Sequence, residues 1–270
     1  MDRRRDSKRY YKRSNRLLGF TQYEKSIVFC KRALTAKSDR YQAHFIWGLN
    51  LIHKKEYEKA VRKFQELLSM NPEDYQIYFN LGVTFDRQNK FFEAEIQYKK
   101  CLSLNSSDDS ALHNLILVLM TQYKLQEALE YCEKKRKIFP HNSSADNSLG
   151  YLRFILGDYE EAIESFETAS QKDNQESLYP MNKSLVLYCL GKTEDAIEVF
   201  QEGLRKAEGE DWRQSLESNL KIYRDGLNHL EGMLKSDDLG DISKEKLRIN
   251  IEGFCFMIDL VNKELSRYPS

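Results

Sequence analysis

The chain has 270 residues, 41% of them hydrophobic and 31% charged, a composition that excludes an intrinsically disordered protein and is typical of a globular one. Its net charge is zero, yet residues 1–40 carry thirteen Lys and Arg against four Asp and Glu, whereas residues 143–176 carry two against eight. The five cysteines are odd in number and have no CxxC spacing, which argues against a disulfide framework or a zinc site.

The N-terminus carries the strongest local charge of the chain. Residues 1–6, MDRRRD, form a predicted basic tail, and basic residues continue to Arg16. No apolar stretch follows these charges, so the segment does not match a secretory signal. No run of the sequence approaches the roughly 20 apolar residues that span a bilayer. We therefore expect a cytoplasmic protein without a transmembrane segment, with a nuclear location as the alternative.

From residue 7 to residue 210 the sequence repeats every 34 residues. Six consecutive windows fit without insertion or deletion: 7–40, 41–74, 75–108, 109–142, 143–176 and 177–210. The eighth place of the windows holds Ser14, Gly48, Gly82, Ile116, Gly150 and Ser184. The twentieth holds Ser26, Ala60, Ala94, Ala128, Ala162 and Ala196, and the twenty-fourth holds Cys30, Phe64, Tyr98, Cys132, Phe166 and Phe200. A fixed period of this length indicates one structural unit copied along the chain.

Each window predicts two helices joined by a short turn. In the second window, apolar residues recur at helical spacing on both sides of a polar break at residues 53–56. Gly48 and Ala60 are small, which predicts that the two helices cross closely at these places. A single helix pair cannot bury its apolar face alone, so successive pairs are expected to stack.

The pattern resembles the tetratricopeptide repeat family, which has a small residue at place eight, Ala at twenty, an aromatic at twenty-four and often Pro at thirty-two, as in Pro72 and Pro140. The resemblance covers residues 7–210. It implies an all-α fold, a right-handed α-solenoid of six helix-turn-helix repeats with a concave inner surface. The sequence departs from the pattern at Ile116 in place eight and at Lys135 in place twenty-seven, and the first window is weak.

After residue 210 the repeat is lost, and residues 211–270 form a predicted C-terminal helical cap. Residues 212–235 predict one amphipathic helix, with a stripe that contains Leu216, Leu220, Tyr223, Leu227, Leu230 and Leu234. A polar break at 236–243 separates it from a last helix over 244–265. Because residues 249–261 are apolar around most of the helix, we expect this helix to be covered on more than one side.

The sequence contains no motif that predicts catalysis. Glycine-rich phosphate loops, a GxSxG elbow and HExxH are absent, and the five histidines form no cluster with cysteines at ligand spacing. We therefore predict a protein that is not an enzyme and that needs neither a metal nor a cofactor.

The resemblance also implies which residues line the concave groove, because the first helix of each repeat faces it in this family. The predicted peptide-binding residues are Phe45, Ile46, Leu49, Phe79, Asn80, Val83, His113, Asn114, Leu117, Tyr151, Phe154, Asn182 and Leu185. Three of them share place six: Asn80, Asn114 and Asn182. This row resembles the asparagine ladder with which some repeat superhelices hold a peptide backbone, since an amide both donates and accepts. The alternative is that Asn is merely common at this place.

The apolar lining of the predicted groove needs a cover. A helix or peptide of a partner would provide it, and so would the chain's own helix 244–265. An acidic chaperone tail is not expected to bind, because the family's carboxylate clamp requires Lys where this sequence has Phe45 and Ser110, and Asn where it has Leu49.

Three functions follow from these observations. The leading interpretation is a protein-protein interaction scaffold or adaptor that holds a partner's peptide or helix in the groove. The first alternative is a self-capped structural component of a larger assembly. The second is an RNA-associated adaptor that uses the basic N-terminus, although nucleic-acid binding is the less favoured role for such a segment.

Overall fold

The computed structural model describes residues 23–35, 40–207, 212–235 and 243–267. The predicted basic tail and the first helix of the first window lie outside these residues. Within the described ranges the chain forms thirteen α-helices and no strand. The predicted all-α fold is therefore confirmed, while the division into a basic tail, six repeats and a cap stays a prediction.

The helices follow the 34-residue windows. The first window contributes α1, Tyr23–Thr35. Windows two to six each contribute a pair: α2 Arg40–His53 with α3 Tyr57–Leu68, α4 Tyr75–Asp86 with α5 Phe91–Leu104, α6 Asp109–Thr121 with α7 Leu125–Ile138, α8 Ser143–Leu156 with α9 Tyr159–Lys172, and α10 Leu178–Cys189 with α11 Thr193–Ala207. The C-terminal helices are α12 Trp212–Leu234 and α13 Lys244–Arg267, close to the predicted 212–235 and 244–265.

The chain forms two compact units, one ending at Val118 and the other beginning at Leu119. In the first unit each helix packs against the next along the chain, from α1 to α5. In the second unit α7 to α11 pack in the same consecutive manner, and α12 packs against α13. The last helix also contacts α8 and α10, so it is covered on more than one side as predicted.

The helices of one pair cross closely at place eight. A Cβ atom added to Gly48, Gly82 or Gly150 would lie 2.7, 2.6 or 2.8 Å from the aromatic ring at place twenty-four, which belongs to Phe64, Tyr98 or Phe166. The ring therefore packs directly on the glycine backbone, and a side chain at place eight has no space. In the helix pair of the sixth window, the Ser184 hydroxyl at place eight donates a hydrogen bond of 2.7 Å to the Ala196 carbonyl. The predicted close crossing is confirmed, with the ring at place twenty-four as the main contact of the glycines.

Every described turn between the helices of a pair uses the same left-handed residue, at place fifteen. These residues have φ between 58° and 81° and are Lys55, Asn89, Tyr123, Gly157 and Gly191. The following N–H donates to the carbonyl five residues earlier in each turn, for example Glu56 to Leu51 at 2.8 Å and Asp158 to Arg153 at 2.8 Å. This is the hydrogen bond that ends a helix in a Schellman motif. A residue other than Gly or Asn in this conformation costs roughly 1 kcal/mol, so the repeat geometry overrides local preference in two of the turns, at Lys55 and Tyr123.

Candidate functional site

The second unit fills the predicted groove with its own last helix. Phe154 and Leu185, both predicted to bind a peptide, are 0% and 1% exposed. The Phe254 ring on α13 lies 5.8 Å from the Phe154 ring and 6.3 Å from the Tyr151 ring, measured between centroids. These three predicted groove residues are therefore covered by the chain itself.

Two glycines allow the C-terminal helices to come this close. A Cβ atom on Gly253 of α13 would lie 2.5 Å from the Cys189 sulfur and 2.8 Å from the Leu185 Cδ1 atom. A Cβ atom on Gly226 of α12 would lie 2.7 Å from the Phe254 ring. Because neither glycine has a side chain, α13 can pack closely against α10 on one side and α12 on the other.

Polar contacts fix α13 at the C-terminal end of α8. The buried Asn250 amide donates hydrogen bonds of 3.1 and 3.4 Å to the carbonyls of Phe154 and Ile155, and its oxygen accepts one of 2.8 Å from the Tyr159 hydroxyl. The Lys246 ammonium donates at 3.1 Å to the Leu156 carbonyl. Terminal carbonyls of a helix lack partners within the helix. The Phe154 carbonyl also accepts from the Gly157 N–H at 3.0 Å, and α13 supplies donors to the Ile155 and Leu156 carbonyls that follow it.

The three asparagines at place six differ in burial and in hydrogen-bond partners. Asn182 is 5% exposed and donates to the Asn147 side-chain oxygen at 2.9 Å. Asn80 and Asn114 are half-buried in the first unit. The Asn80 amide donates to the carbonyl of Gln76 at 2.7 Å, and the Asn114 amide donates to the Tyr98 hydroxyl at 3.3 Å. An accessible amide row can therefore contain at most Asn80 and Asn114.

The first unit has an open depression of about 320 Å³ on the predicted groove face. It is lined by Phe45, Leu49, Tyr75, Gln76, Phe79, Asn80, Asp108 and Ser110. Phe45, Leu49, Phe79 and Asn80 were predicted from the sequence, and the structure brings them together. The other four were not among the predicted peptide-binding residues.

The missed lining residues surround two helix starts. Gln76 and Ser110 hold place two of their windows, which the family pattern also directs inward. Tyr75 begins α4, and Asp108 accepts a hydrogen bond of 2.8 Å from the backbone N–H of Ala111 near the start of α6. A side chain in a capping role gives no separate signal for ligand contact, so sequence reasoning did not separate Asp108 from an ordinary N-cap.

The aromatic side chains of the depression are held by the rings of the repeat core. The Phe45 ring meets the Phe64 ring edge-on with centroids 6.0 Å apart, and the Phe79 ring lies 6.0 Å from the Tyr98 ring. Phe64 and Tyr98 are fully buried. The Phe45 and Phe79 rings of the depression therefore pack against buried rings, while Gln76, Asn80, Asp108 and Ser110 add polar groups to the lining.

The other predicted residues of the first unit have different surroundings. Ile46 is 3% exposed and belongs to the core. Val83 and His113 are half-buried, and Leu117 is 48% exposed. None of these four lines the depression.

Burial raises the pKa of the Cys101, Cys132 and Cys189 thiols to about 12, which keeps them protonated and unreactive at neutral pH. Within the described ranges, no three His, Cys, Asp or Glu side chains are grouped as metal ligands would be. No described helix combines the length and hydropathy of a membrane span.

Comparisons with known proteins agree with the repeat pattern. A tetratricopeptide repeat model matches residues 47–109, 115–177 and 147–211. None of the curated protein sequences matches the chain.

Solved structures that resemble the chain do so at low sequence identity. PilF from Pseudomonas aeruginosa is 17% identical with a TM-score of 0.62, and the match covers 81% of this chain and 99% of PilF. MamA from Desulfovibrio magneticus RS-1 is 18% identical with a TM-score of 0.59, covering 64% and 98%. YrrB, described as a TPR protein with an unusual peptide-binding site, is 16% identical with a TM-score of 0.55, covering 68% and 95%. At these identities the similarity establishes the fold.

Proposed function

The chain belongs to the tetratricopeptide repeat family, and we propose that it is an interaction scaffold that binds a peptide of a partner protein in the groove of its first unit. The observation that carries this proposal is the open, apolar depression around Phe45, Leu49 and Phe79. Aromatic rings that pack against buried side chains lose little conformational freedom on binding, which favours their use as contact residues.

The second unit offers an internal precedent for such binding. There the face of the first repeat helices accepts α13, with the Phe254 ring placed against Tyr151 and Phe154. The first unit presents the corresponding face of α2 and α4 with its depression still open. An apolar side chain of a peptide is therefore the natural occupant, and the neighbouring amide of Asn80 can contact its backbone.

The likeness to YrrB adds limited support. That protein is described as having an unusual peptide-binding site, so the fold is compatible with peptide capture.

A second candidate function follows from α13. Its burial against α8 and α10, with Asn250 bonded to two carbonyls, is what a self-capped structural component requires. In that role the second unit acts as a rigid support rather than as a receptor. The third interpretation, RNA association through the basic N-terminus, concerns residues outside those described and stays a prediction, as does a cytoplasmic location.

Peptide selection tests the leading proposal. We expect the full chain to enrich peptides with large apolar side chains from a random dodecapeptide display library. For a synthetic peptide from that pool, Phe79→Ala should weaken binding by about thirtyfold, which corresponds to roughly 2 kcal/mol for a buried aromatic contact. Titration calorimetry measures the change.

Phe92→Ala is the matched control, because Phe92 is 66% exposed on α5 and does not line the depression. Its affinity for the same peptide should equal that of the unsubstituted chain. The proposal is wrong if no peptide is enriched, or if Phe79→Ala binds the selected peptide as tightly as the control does.

A further inference from the structure

One residue of the first-unit groove breaks the internal pattern of the repeats. Five windows cover residues 41–210, and four of them have an apolar residue at place twelve: Ile52, Met120, Phe154 and Tyr188. The third window has Asp86 instead. The structure places this side chain half-buried at the end of α4, where a carboxylate has lost part of its hydration.

The Asp86 carboxylate is not compensated within the described part of the first unit. Burial raises its pKa, and the neighbouring Arg87 acts in the opposite direction through its charge, but no ion pair or hydrogen bond to the carboxylate contributes. Arg87 is itself exposed. A half-buried charge without a partner is costly to a fold, and such residues concentrate at functional sites.

Arg87 is the one charged group of the described residues that acts on the pKa of Asp86. His53 on α2 has its pKa lowered, first by burial and then by the charge of Arg87, so it is neutral at neutral pH. Burial raises the pKa of the Tyr98 hydroxyl, and the charge of Asp86 raises it further. The same hydroxyl accepts a hydrogen bond from Asn114. Among these groups only Arg87 is cationic, and it leaves the acceptor positions of Asp86 unused.

The distance between Asp86 and the depression sets the spacing of the ligand groups. Asp86 follows Phe79 by seven residues, which is two helical turns, so both side chains lie on the same face of α4 about 10 Å apart along its axis. An extended peptide advances about 3.3 Å per residue. In a peptide aligned with α4, the group that reaches Asp86 would therefore lie about three residues from the side chain that fills the depression.

We propose that Asp86 determines the specificity of the first-unit groove, and that the bound peptide carries a Lys or Arg about three residues from the large apolar side chain that enters the depression. This inference rests on the proposed peptide binding. A cationic side chain restores to the carboxylate the charge-assisted hydrogen bonds that burial removed. A neutral donor such as Gln would supply hydrogen bonds without balancing the charge.

The test repeats the dodecapeptide selection with three full-length proteins: the unsubstituted chain, Asp86→Asn and Phe79→Ala. The unsubstituted chain should enrich Lys or Arg at a fixed distance from an apolar residue. Asp86→Asn should keep the apolar preference and lose the basic one. The Asn side chain has the shape of Asp without its charge, and circular dichroism on heating should show that the variant is folded.

A selected peptide and its variant with Gln in place of the basic residue allow the ion pair to be measured. For a selected peptide, Asp86→Asn should weaken binding at least tenfold, and replacing the basic residue by Gln should weaken binding to the unsubstituted chain by a similar factor. The two changes together should cost little more than either one, because both remove the same ion pair.

Two results separate the possible failures. Enrichment that depends on Phe79 but shows no basic preference, or a basic preference that survives in Asp86→Asn, overturns the role of Asp86 and leaves peptide binding intact. Absence of any enrichment, or enrichment that Phe79→Ala does not reduce, overturns the proposed function and this inference with it.

Discussion

Replacing Phe254 by Ala is expected to lower the free energy of unfolding by about 3–5 kcal/mol, the range measured for large aromatic side chains removed from a core. The Phe254 ring is 1% exposed and lies 5.8 Å from the Phe154 ring and 6.1 Å from the Tyr223 ring. Its removal would leave a cavity between α13, α8 and α12, and the rigid helix pairs have little freedom to close it. Urea denaturation followed by circular dichroism gives the change.

Phe92→Ala supplies the comparison, since it makes the same chemical change at a side chain that is 66% exposed. We expect it to alter the free energy of unfolding by no more than about 0.5 kcal/mol. Equal effects of the two variants would contradict the placement of α13 in the groove of the second unit.

The second large effect is expected at the crossing of α4 and α5. Gly82→Ile forces a branched side chain into a space where even a Cβ atom would lie 2.6 Å from the Tyr98 ring. Overpacking of this kind costs about 3 kcal/mol. Tyr98→Cys alone should also be destabilising by about 3 kcal/mol, because Tyr98 is fully buried.

The fourth window suggests how the two costs combine. It carries Ile116 at place eight and Cys132 at place twenty-four, which exchanges a small residue and a large one relative to the third window. The double variant Gly82→Ile with Tyr98→Cys should therefore be more stable than additivity predicts, by about 2 kcal/mol. A double-mutant cycle measured by urea denaturation provides the number, and additivity within about 0.5 kcal/mol would show that the two places do not share one space.

The repeat fold could be predicted from the sequence because its determinants lie within one window. Gly48, Ala60 and Phe64 recur with their equivalents at a fixed spacing, and each acts on a neighbouring helix of the same pair. The left-handed turn at place fifteen was missed, although it recurs just as strictly. Lys55 and Tyr123 have no intrinsic preference for positive φ, so the residue types do not reveal a conformation that the repeat imposes.

The candidate site could be predicted only in part, because burial in the groove depends on distant segments. Asn80 and Asn182 hold the same place in their windows, yet one is half-buried beside an open depression and the other is 5% exposed. Phe154 is covered by a helix that begins about 90 residues later in the chain. A pattern that treats all repeats alike cannot distinguish them. The apolar circumference of residues 249–261 did predict that the last helix would be covered, without showing that groove residues would cover it.

A peptide is proposed to enter the groove of the first unit, whereas α13 already fills the groove of the second. Hydrogen-deuterium exchange with and without a selected peptide distinguishes the two grooves, because exchange reports the stability of each helix separately. We expect slower exchange in α2 and α4, residues Arg40–His53 and Tyr75–Asp86, and unchanged exchange in α8, α10 and α13. Peptide-dependent changes confined to α8 and α10, or faster exchange in α13 as the peptide displaces it, would show that the peptide binds the second unit instead.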